Sequence, residues 1–428
     1  MAYALETGRS GHASNDLPAA EEVWFSTIDA PTASTPRRTK VTTNRGSQNT
    51  ATANAASAPG GDRKGNPLQR RIRVLHLIDN LDLGGAQTVL LAWLRYHDRT
   101  KFDVHLASIH GTRKSLFYAR ARDLGTPIVL LSPRRWLPLY LLRLPVEISA
   151  NGYDIVHCHL LASNWLGKLL ARILRTPVVI SHDHCIDPLR ANSTIATFID
   201  RQINRLADEV LAVSPGIRNH LIAAEGIASE RIQVIPNCVP ELPLGERKRA
   251  SGKLIGGAGR LVPQKNFLRF LRIACRLVEI DQSYQFVIAG QGPQETTLKN
   301  EAARLGLNIH WLGVQPALDQ FFSEIDFFLL TSDFEGCPMA LLEALFYGVP
   351  AAAMMVEGIR GEFSDELLLL DPGESDNDLA RHIHARLENQ AEVNAQVQRG
   401  KEIVARRFSA RKQIRTIEEI YVSLLERT

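Results

Sequence analysis

Glu335 and Glu343 stand eight residues apart in the stretch 331–350, near two helical turns, so both carboxylates can project to one side. Glu335-Gly336-Cys337-Pro338 reads as a loop and 339–346 as the helix behind it, with Gly348 as its stop and Pro350 opening the next element. An apolar, strand-like run, 325–330, comes before. The spacing therefore predicts a strand, a turn bearing one acid and a helix bearing another, with free backbone N–H groups between them. A helix start at the carboxyl end of a strand suits a phosphate or a sugar hydroxyl. Taken alone, the stretch equally fits an ordinary crossover helix with two solvated glutamates.

A second pair is cationic. The strand-like run 253–258 leads into Gly259-Arg260-Leu261-Val262-Pro263-Gln264-Lys265-Asn266, and 267–278 has the pattern of an amphipathic helix. Arg260 and Lys265 thus straddle a loop between a strand end and a helix start, an arrangement that matches a diphosphate. Each charge-assisted hydrogen bond to such an anion is worth about 1.5–3 kcal/mol, against near zero for a cation left in water. The plainer alternative is two solvated loop cations.

Gly84-Gly85 follows another apolar run, 74–78, and precedes a helical pattern over 86–93. The pair lacks the G-x-G-x-x-G spacing of dinucleotide binders, yet it lets a ligand approach the backbone and leaves helix N–H groups free. Two histidine clusters, His157-Cys158-His159 and His182-Asp183-His184-Cys185, end two further apolar runs. Alternate residues of a strand share a face only while the strand lasts, and no i, i+4 helical pair supplements them, so no metal is expected. His159, at a strand edge facing an interdomain crevice, is expected to hydrogen-bond substrate, and His157 to pack.

The elements that must position these groups are α/β in pattern. Strand-like runs recur at 104–107, 128–131, 155–157, 178–180, 210–213 and 233–235, then at 253–258, 286–289, 310–313, 325–330 and 367–370, separated by helical stretches that also fill 376–407 and 410–426. That alternation implies parallel sheets covered by helices on both faces. A chain of 428 residues is too long for one ordinary core and predicts about two domains plus extra sequence. Residues 1–70 are rich in small and polar types without periodicity and read as a disordered extension. The Pro-rich, polar segment 241–252 reads as an interdomain linker. The five cysteines are scattered without a C-x-x-C pair, which disfavours a disulfide framework or structural zinc and favours a reducing compartment. No apolar run is long enough to span a membrane, and no secretory signal is visible.

Residues 71–252 carry 23 Lys and Arg against 16 Asp and Glu, whereas 253–428 carry 19 against 24. The basic first half suits an anionic partner such as a lipid phosphate or a membrane surface, or merely reflects solvated helices. The apolar segment 136–144, flanked by Arg134, Arg135 and Arg143, fits a buried crossover helix better than an interfacial one, because Pro138 and Pro145 interrupt it.

In this order the segments resemble the group-one retaining glycosyltransferases of GT-B architecture, over about residues 72–428. The resemblance is carried by Gly84-Gly85, by Asp154-Ile155-Val156-His157-Cys158-His159 and Ile235-Pro236-Asn237, by Gly259-Arg260 with Lys265, and by Glu335-Gly336-Cys337-Pro338 with Leu342-Glu343-Ala344 and Gly348-Val349-Pro350. It implies two Rossmann-like domains facing a cleft: an acceptor-side domain over 71–240, a nucleotide-sugar-binding domain over 253–405, and a final helix, 406–428, crossing back to the first. It further implies that Arg260 and Lys265 hold the diphosphate of a nucleotide sugar, that Glu343 binds ribose hydroxyls, and that Glu335 faces the donor sugar. The backbone from Gly336 through Met339 to Ala340 would contribute with Glu335, and Leu342 joins the donor-binding set. His159 would reach the donor sugar from across the cleft, and Gly84 and Gly85 would line the phosphate and acceptor side. The expected catalytic group is Glu335, His159, Arg260 and Lys265. No cofactor or metal is implied, because the two cations can neutralise the departing diphosphate, and no Asp-x-Asp site is evident. The partners would be a nucleotide-sugar donor, a lipid-linked or saccharide acceptor and a peripheral membrane contact, with no nucleic acid; the setting would be cytoplasmic, at the inner membrane face. Gln87 stands where the family often carries Glu, Cys238 replaces the Gly of the usual Pro-Asn-Gly turn, and 351–357 departs from the usual polar segment. A nucleotide-sugar epimerase and a non-catalytic nucleotide-sugar-binding scaffold are the competing readings of the same fold.

Overall fold

The computed structural model describes residues 67–82, 84–132, 138–185, 194–240, 253–315 and 317–428. The linker expected over 241–252 lies outside the described residues, as does the expected extension up to residue 66. Residues 67–70, within the expected extension, are structured. Pro67–Gln69 forms a 3-10 turn, and the Arg70 guanidinium donates to both carboxylate oxygens of Asp154 at 2.9 and 2.8 Å.

In the first lobe the chain alternates strand and helix: β1 (Ile72–Ile78), α1 (Gly85–Tyr96), β2 (Phe102–His110), α2 (Leu116–Asp123), β3 (Ile128–Ser132), α3 (Tyr140–Asn151), β4 (Ile155–His159), α4 (Leu161–Ile173), β5 (Val178–Asp183), α5 (Thr194–Asn204), β6 (Glu209–Ala212), α6 (Pro215–Glu225) and β7 (Ile232–Val234). The second lobe follows with β8 (Lys253–Ala258), α7 (Phe267–Ile280), β9 (Tyr284–Ala289), α8 (Glu295–Arg304), β10 (Ile309–Gly313), α9 (Asp319–Glu324), β11 (Phe327–Leu330), α10 (Met339–Phe346), β12 (Ala351–Met354), β13 (Leu368–Leu370), α11 (Asp376–Glu388) and α12 (Gln390–Arg407). A last helix, α13 (Ala410–Leu425), closes the chain.

Both sheets are parallel, ordered β3-β2-β1-β4-β5-β6-β7 and β10-β9-β8-β11-β12-β13. In each, the strand order reverses beside the first strand, so β1/β4 and β8/β11 are the two switch points where the crossovers diverge and a crevice opens. Helices bury both faces of the sheets: β4, β5, β6, β11 and β12 are buried along their whole length, polar side chains on β4, β5 and β6 included.

Sequence periodicity found every strand except β12. Ala351–Met354 carries little β-propensity, yet it lies between β11 and β13 with Phe328 beside Ala351 and Ala353 beside Leu369. Its small side chains let α12 pack close; Gln396 donates to the Ala351 carbonyl at 2.6 Å. The helix α3 also departs from expectation. Pro145 sits inside it, and only Leu144 and Ile148 are buried, while Leu141, Leu142 and Val146 are exposed. Its apolar face is therefore split between core and surface rather than buried.

The helix α13 packs on α1 of the first lobe. Its buried positions, Ile414, Ile417, Tyr421 and Leu424 among them, recur every three or four residues. The chain therefore returns to the lobe in which it began.

Candidate functional site

The residues singled out for chemistry gather at the two switch points. Gly84 and Gly85 follow β1, His159 ends β4, Arg260 and Lys265 follow β8, and Glu335 and Glu343 follow β11. Because both switch points lie at carboxyl ends of strands, four loops converge on one crevice.

On the second lobe the β8 and β11 loops are stapled together. Asp333 N–H donates to the Gln264 carbonyl at 2.9 Å, Gln264 Nε2 donates to the Phe334 carbonyl at 3.0 Å, and Asn266 Nδ2 donates to Asp333 Oδ1 at 2.7 Å. Asn266 adopts φ 44° and caps α7, its side chain accepting from Arg269 N–H. Within this frame Lys265 Nζ donates to Glu335 Oε1 at 2.6 Å, and Ser332 Oγ donates to the same oxygen at 2.5 Å. The Glu335 side chain is 5% exposed and that of Lys265 18%, so this is a largely desolvated ion pair. Arg260 projects from the same loop into solvent.

Glu343 occupies the half-buried face of α10. Burial alone pushes its carboxyl up to about 7, because a poorly solvated carboxylate disfavours its charge. It is therefore close to half-protonated near neutrality and is stabilised as the anion by any hydroxyl donor placed against it.

Three contacts bring the lobes together at the loop before α10. A Cβ on Gly85 would stand 3.3 Å from Met339 Cγ, so the β1 loop rests against the first residue of that helix. A Cβ on Gly336 would stand 2.4 Å from the His184 carbonyl oxygen, an approach only glycine allows. Asn237 Nδ2 donates to the Cys337 carbonyl at 2.6 Å across the same boundary. Asn237 belongs to the Ile235-Pro236-Asn237 motif, but its partner lies 100 residues away and is set by the fold. The loop 335–340 is thus clasped by Gly85, His184 and Asn237 of the first lobe.

His159 is not on the crevice wall. It is fully buried, and both ring nitrogens are engaged: Nε2 with His76 Nδ1 at 3.0 Å, Nδ1 with His184 Nε2 at 3.3 Å. For it to reach the donor sugar as expected, the ring has to exchange one of these contacts for a sugar hydroxyl. Parallel register is the reason. β4 lies between β1 and β5, with His76 beside His157 and His159 beside His182, so imidazoles from three adjacent strands stack on one sheet face under Trp93 and Tyr421. Ring centroids are 4.3 Å apart for His157 and His159 and 4.4 Å for His182 and His184. Burial holds His76, His157, His159 and His182 well below the usual histidine range and takes His184 down to about 4. These rings are neutral near pH 7. His157 packs as expected, with Nδ1 hydrogen-bonded to the Tyr421 hydroxyl at 2.6 Å.

Two imidazole trios, His76/His157/His159 and His159/His182/His184, have the composition of a metal site, with ligand atoms within 4.8 Å of one another. The clusters on β4 and β5 become neighbours only when the strands pair, and β1 then adds His76 to them. In the fold, His159 already spends both nitrogens on hydrogen bonds that a cation would have to break.

Both lobes are similar to known proteins. Residues 244–403 match the family profile described as glycosyl transferases group 1, and 83–241 match glycosyltransferase family 4. The chain is 26% identical over 311 residues to the putative glycosyltransferase EpsF of Bacillus subtilis, covering 65% of this chain and 78% of that one. It is 25% identical over 308 residues to the UDP-Gal:alpha-D-GlcNAc-diphosphoundecaprenol alpha-1,3-galactosyltransferase of Escherichia coli, covering 65% and 77%. Among solved structures, Anabaena Alr3699/HepE in complex with UDP-glucose superposes with a TM-score of 0.71 at 21% identity, over 82% of this chain and 100% of that one.

Proposed function

Because the chain belongs to the group 1 glycosyltransferases of GT-B fold, we propose that it moves a hexose, with anomeric retention, from a nucleotide-diphosphate sugar to a lipid-linked or saccharide acceptor in cell-surface polysaccharide or glycolipid synthesis. The observation that supports this most is the convergence of Arg260, Lys265, Glu335 and Glu343 at the β8/β11 switch point, with the first lobe clasping the loop between the two acids. The nucleoside of the donor is uridine, in keeping with the UDP-sugar named for the Escherichia coli relative and the UDP-glucose bound by the Anabaena structure.

In this reading the ribose hydroxyls donate to Glu343 and draw it into its anionic form. Arg260 and Lys265 meet the diphosphate, where negative charge grows as the bond from the anomeric carbon to the phosphate oxygen breaks. The acceptor hydroxyl attacks from the same face, its oxygen forming the new glycosidic bond while its proton passes to the departing phosphate. Glu335 keeps Lys265 aimed into the crevice and, with the backbone of Gly336 to Ala340, bounds the space for the hexose. The two cations supply the charge neutralisation, and no metal is required.

A lipid-linked acceptor has to be met at a membrane. Leu141, Leu142 and Val146 of α3, Ile173 of α4, and Ile195 and Phe198 of α5 are exposed on three helices packed side by side, α3 on α4 and α4 on α5. Exposed Arg143, Arg175 and Arg205 accompany them. An apolar strip edged by arginines fits the surface of an anionic bilayer. No helix among the described residues is long and apolar enough to cross one.

The test is a panel of UDP-, GDP- and ADP-sugars with membrane extract as acceptor source, scoring nucleotide release and labelled product. Release of UDP coupled to labelled lipid or saccharide is the expected result. Conversion of the donor without acceptor would indicate an epimerase, and donor binding without turnover on any acceptor a scaffold; either would overturn the proposal.

A further inference from the structure

A single residue joins β4 to α4, and its backbone is strained. β4 ends at His159 and α4 begins at Leu161. Leu160 between them adopts φ 71° and ψ 178°, a region that essentially only glycine occupies. The strain follows from strand and helix serving opposite faces of the sheet. His157 and His159 lie under Trp93. Cys158, on the other face, meets α4 so closely that a Cβ on Gly167 would stand 2.6 Å from its sulfur. The chain therefore has to cross from the strand tip to the far face within one residue.

The helix that follows does not cap itself. Leu160 stands at its N-cap and offers no side-chain acceptor, so the N–H groups of the first turn go to Asp79, the residue after β1. Ala162 N–H donates to Asp79 Oδ2 at 3.1 Å and Ser163 N–H to Oδ1 at 2.6 Å. The Ser163 hydroxyl lies 2.6 Å from Oδ1 and also reaches the His159 carbonyl. Asp79 is held in turn, its own carbonyl accepting from His110 N–H at the end of β2 at 2.8 Å. Ile78 pairs in register with His159, so the carboxylate meets the helix just past the histidine. Hydrogen bonds to a charged acceptor are roughly twice as strong as neutral ones, and here they oppose relaxation of Leu160 toward an ordinary conformation.

We propose that Asp79 is a positioning residue for His159: by capping α4 it holds Leu160 in the left-handed turn that ends β4, and so sets the place of the imidazole behind the crevice. Without the carboxylate the first turn of α4 loosens, Leu160 relaxes, and the strand tip carrying His159 moves with it. A glycine at 160 adopts the same turn without strain, so it makes the cap dispensable. The kinetic consequence rests on the transferase reading, in which His159 meets the donor sugar; the place of the ring can be measured without substrate.

The experiment compares Asp79→Ala with Asp79→Ala/Leu160→Gly in the full chain, by donor kinetics and by NMR of ring-labelled histidines. The His159 signals lie among the rings of Trp93, His157 and His184 and therefore report a small displacement. Asp79→Ala should shift them and lower kcat about 100-fold with donor KM little changed, the cost of misplacing a group by about 1 Å. Adding Leu160→Gly should return the His159 signals toward wild type and regain turnover. A cap that only stabilises the fold predicts the opposite, a lower melting temperature in the single variant and a further loss in the double. Unshifted His159 signals in folded Asp79→Ala would overturn the proposal, as would a double variant no better than the single one. Should Asp79→Ala fail to fold, Asp79→Asn, which keeps an oxygen acceptor without the charge, carries the same comparison. Absence of turnover in wild type would count against the transferase reading, and the ring signals would still decide the role of Asp79.

Discussion

At the scale of single residues, Lys265 and Glu335 show what spacing alone could not reveal. The sequence marked both, but for separate duties, diphosphate and sugar; in the fold they are one buried pair at 2.6 Å. The distinction changes what substitution should do. Arg260 is exposed, so Arg260→Ala should lower kcat/KM about 100-fold while leaving the melting temperature nearly unchanged. Lys265→Ala strands the Glu335 carboxylate and should also cost about 3 kcal/mol of stability. The double variant Lys265→Ala/Glu335→Gln should regain that stability in denaturant titrations without regaining turnover. Glu343 carries the pH dependence. Its carboxyl titrates near 7 when folded against an ordinary 4.5, so between those values the unfolded chain has already lost a proton the folded one retains. Stability should therefore fall as pH rises from 4.5 to 7 and level off above. Glu343→Gln should remove that slope and be more stable than wild type at pH 8 by about 1–3 kcal/mol. Donor affinity should move oppositely, tightening as pH rises through 7 in wild type, because only the anion accepts two ribose hydroxyls, and staying flat in the Gln variant.

Secondary-structure elements were legible where their chemistry is local. The loop 335–338 and helix Met339–Phe346 are where periodicity puts them, and Gly348 takes φ 70° at the helix end. Legibility failed where neighbours decide. Ala351–Met354 is a strand because two others flank it, not because alanine prefers one. His159 points into the lobe because β1 brings His76 beside its strand, and strand order cannot be read from a list of strands. Gly336 illustrates the same limit: the sequence marked it for its free N–H, yet the His184 carbonyl is what forbids a side chain there. Gly336→Ala should displace the loop and weaken both stability and turnover, whereas Gly85→Ala meets only the flexible Met339 side chain and should be tolerated. A thermal melt beside a donor-binding isotherm separates the two. At the C-terminal helix, Tyr421→Phe removes the hydroxyl bonded to His157 Nδ1 at 2.6 Å and should cost about 1–2 kcal/mol in chemical denaturation.

For the whole molecule, alternation of strand and helix sufficed to foresee two parallel sheets, and motif order sufficed to foresee that they face one another. How far 136–144 is exposed was not legible in the sequence, since exposure of α3 depends on how much of it the sheet covers. Leu142→Asp with Phe198→Asp should abolish flotation with vesicles containing anionic phospholipid while leaving turnover on a water-soluble acceptor intact; retained flotation would move the contact elsewhere. The path of the chain has a mechanical consequence. It leaves the first lobe after Val239 and re-enters it at Ser409, and there the two passages run side by side: Val239 N–H donates to the Phe408 carbonyl at 2.9 Å, and Ala410 N–H to the Val239 carbonyl at 3.1 Å. The second lobe is hung on the first like a book cover on its spine. Sliding one lobe past the other would break both of these bonds, whereas turning about the seam keeps them.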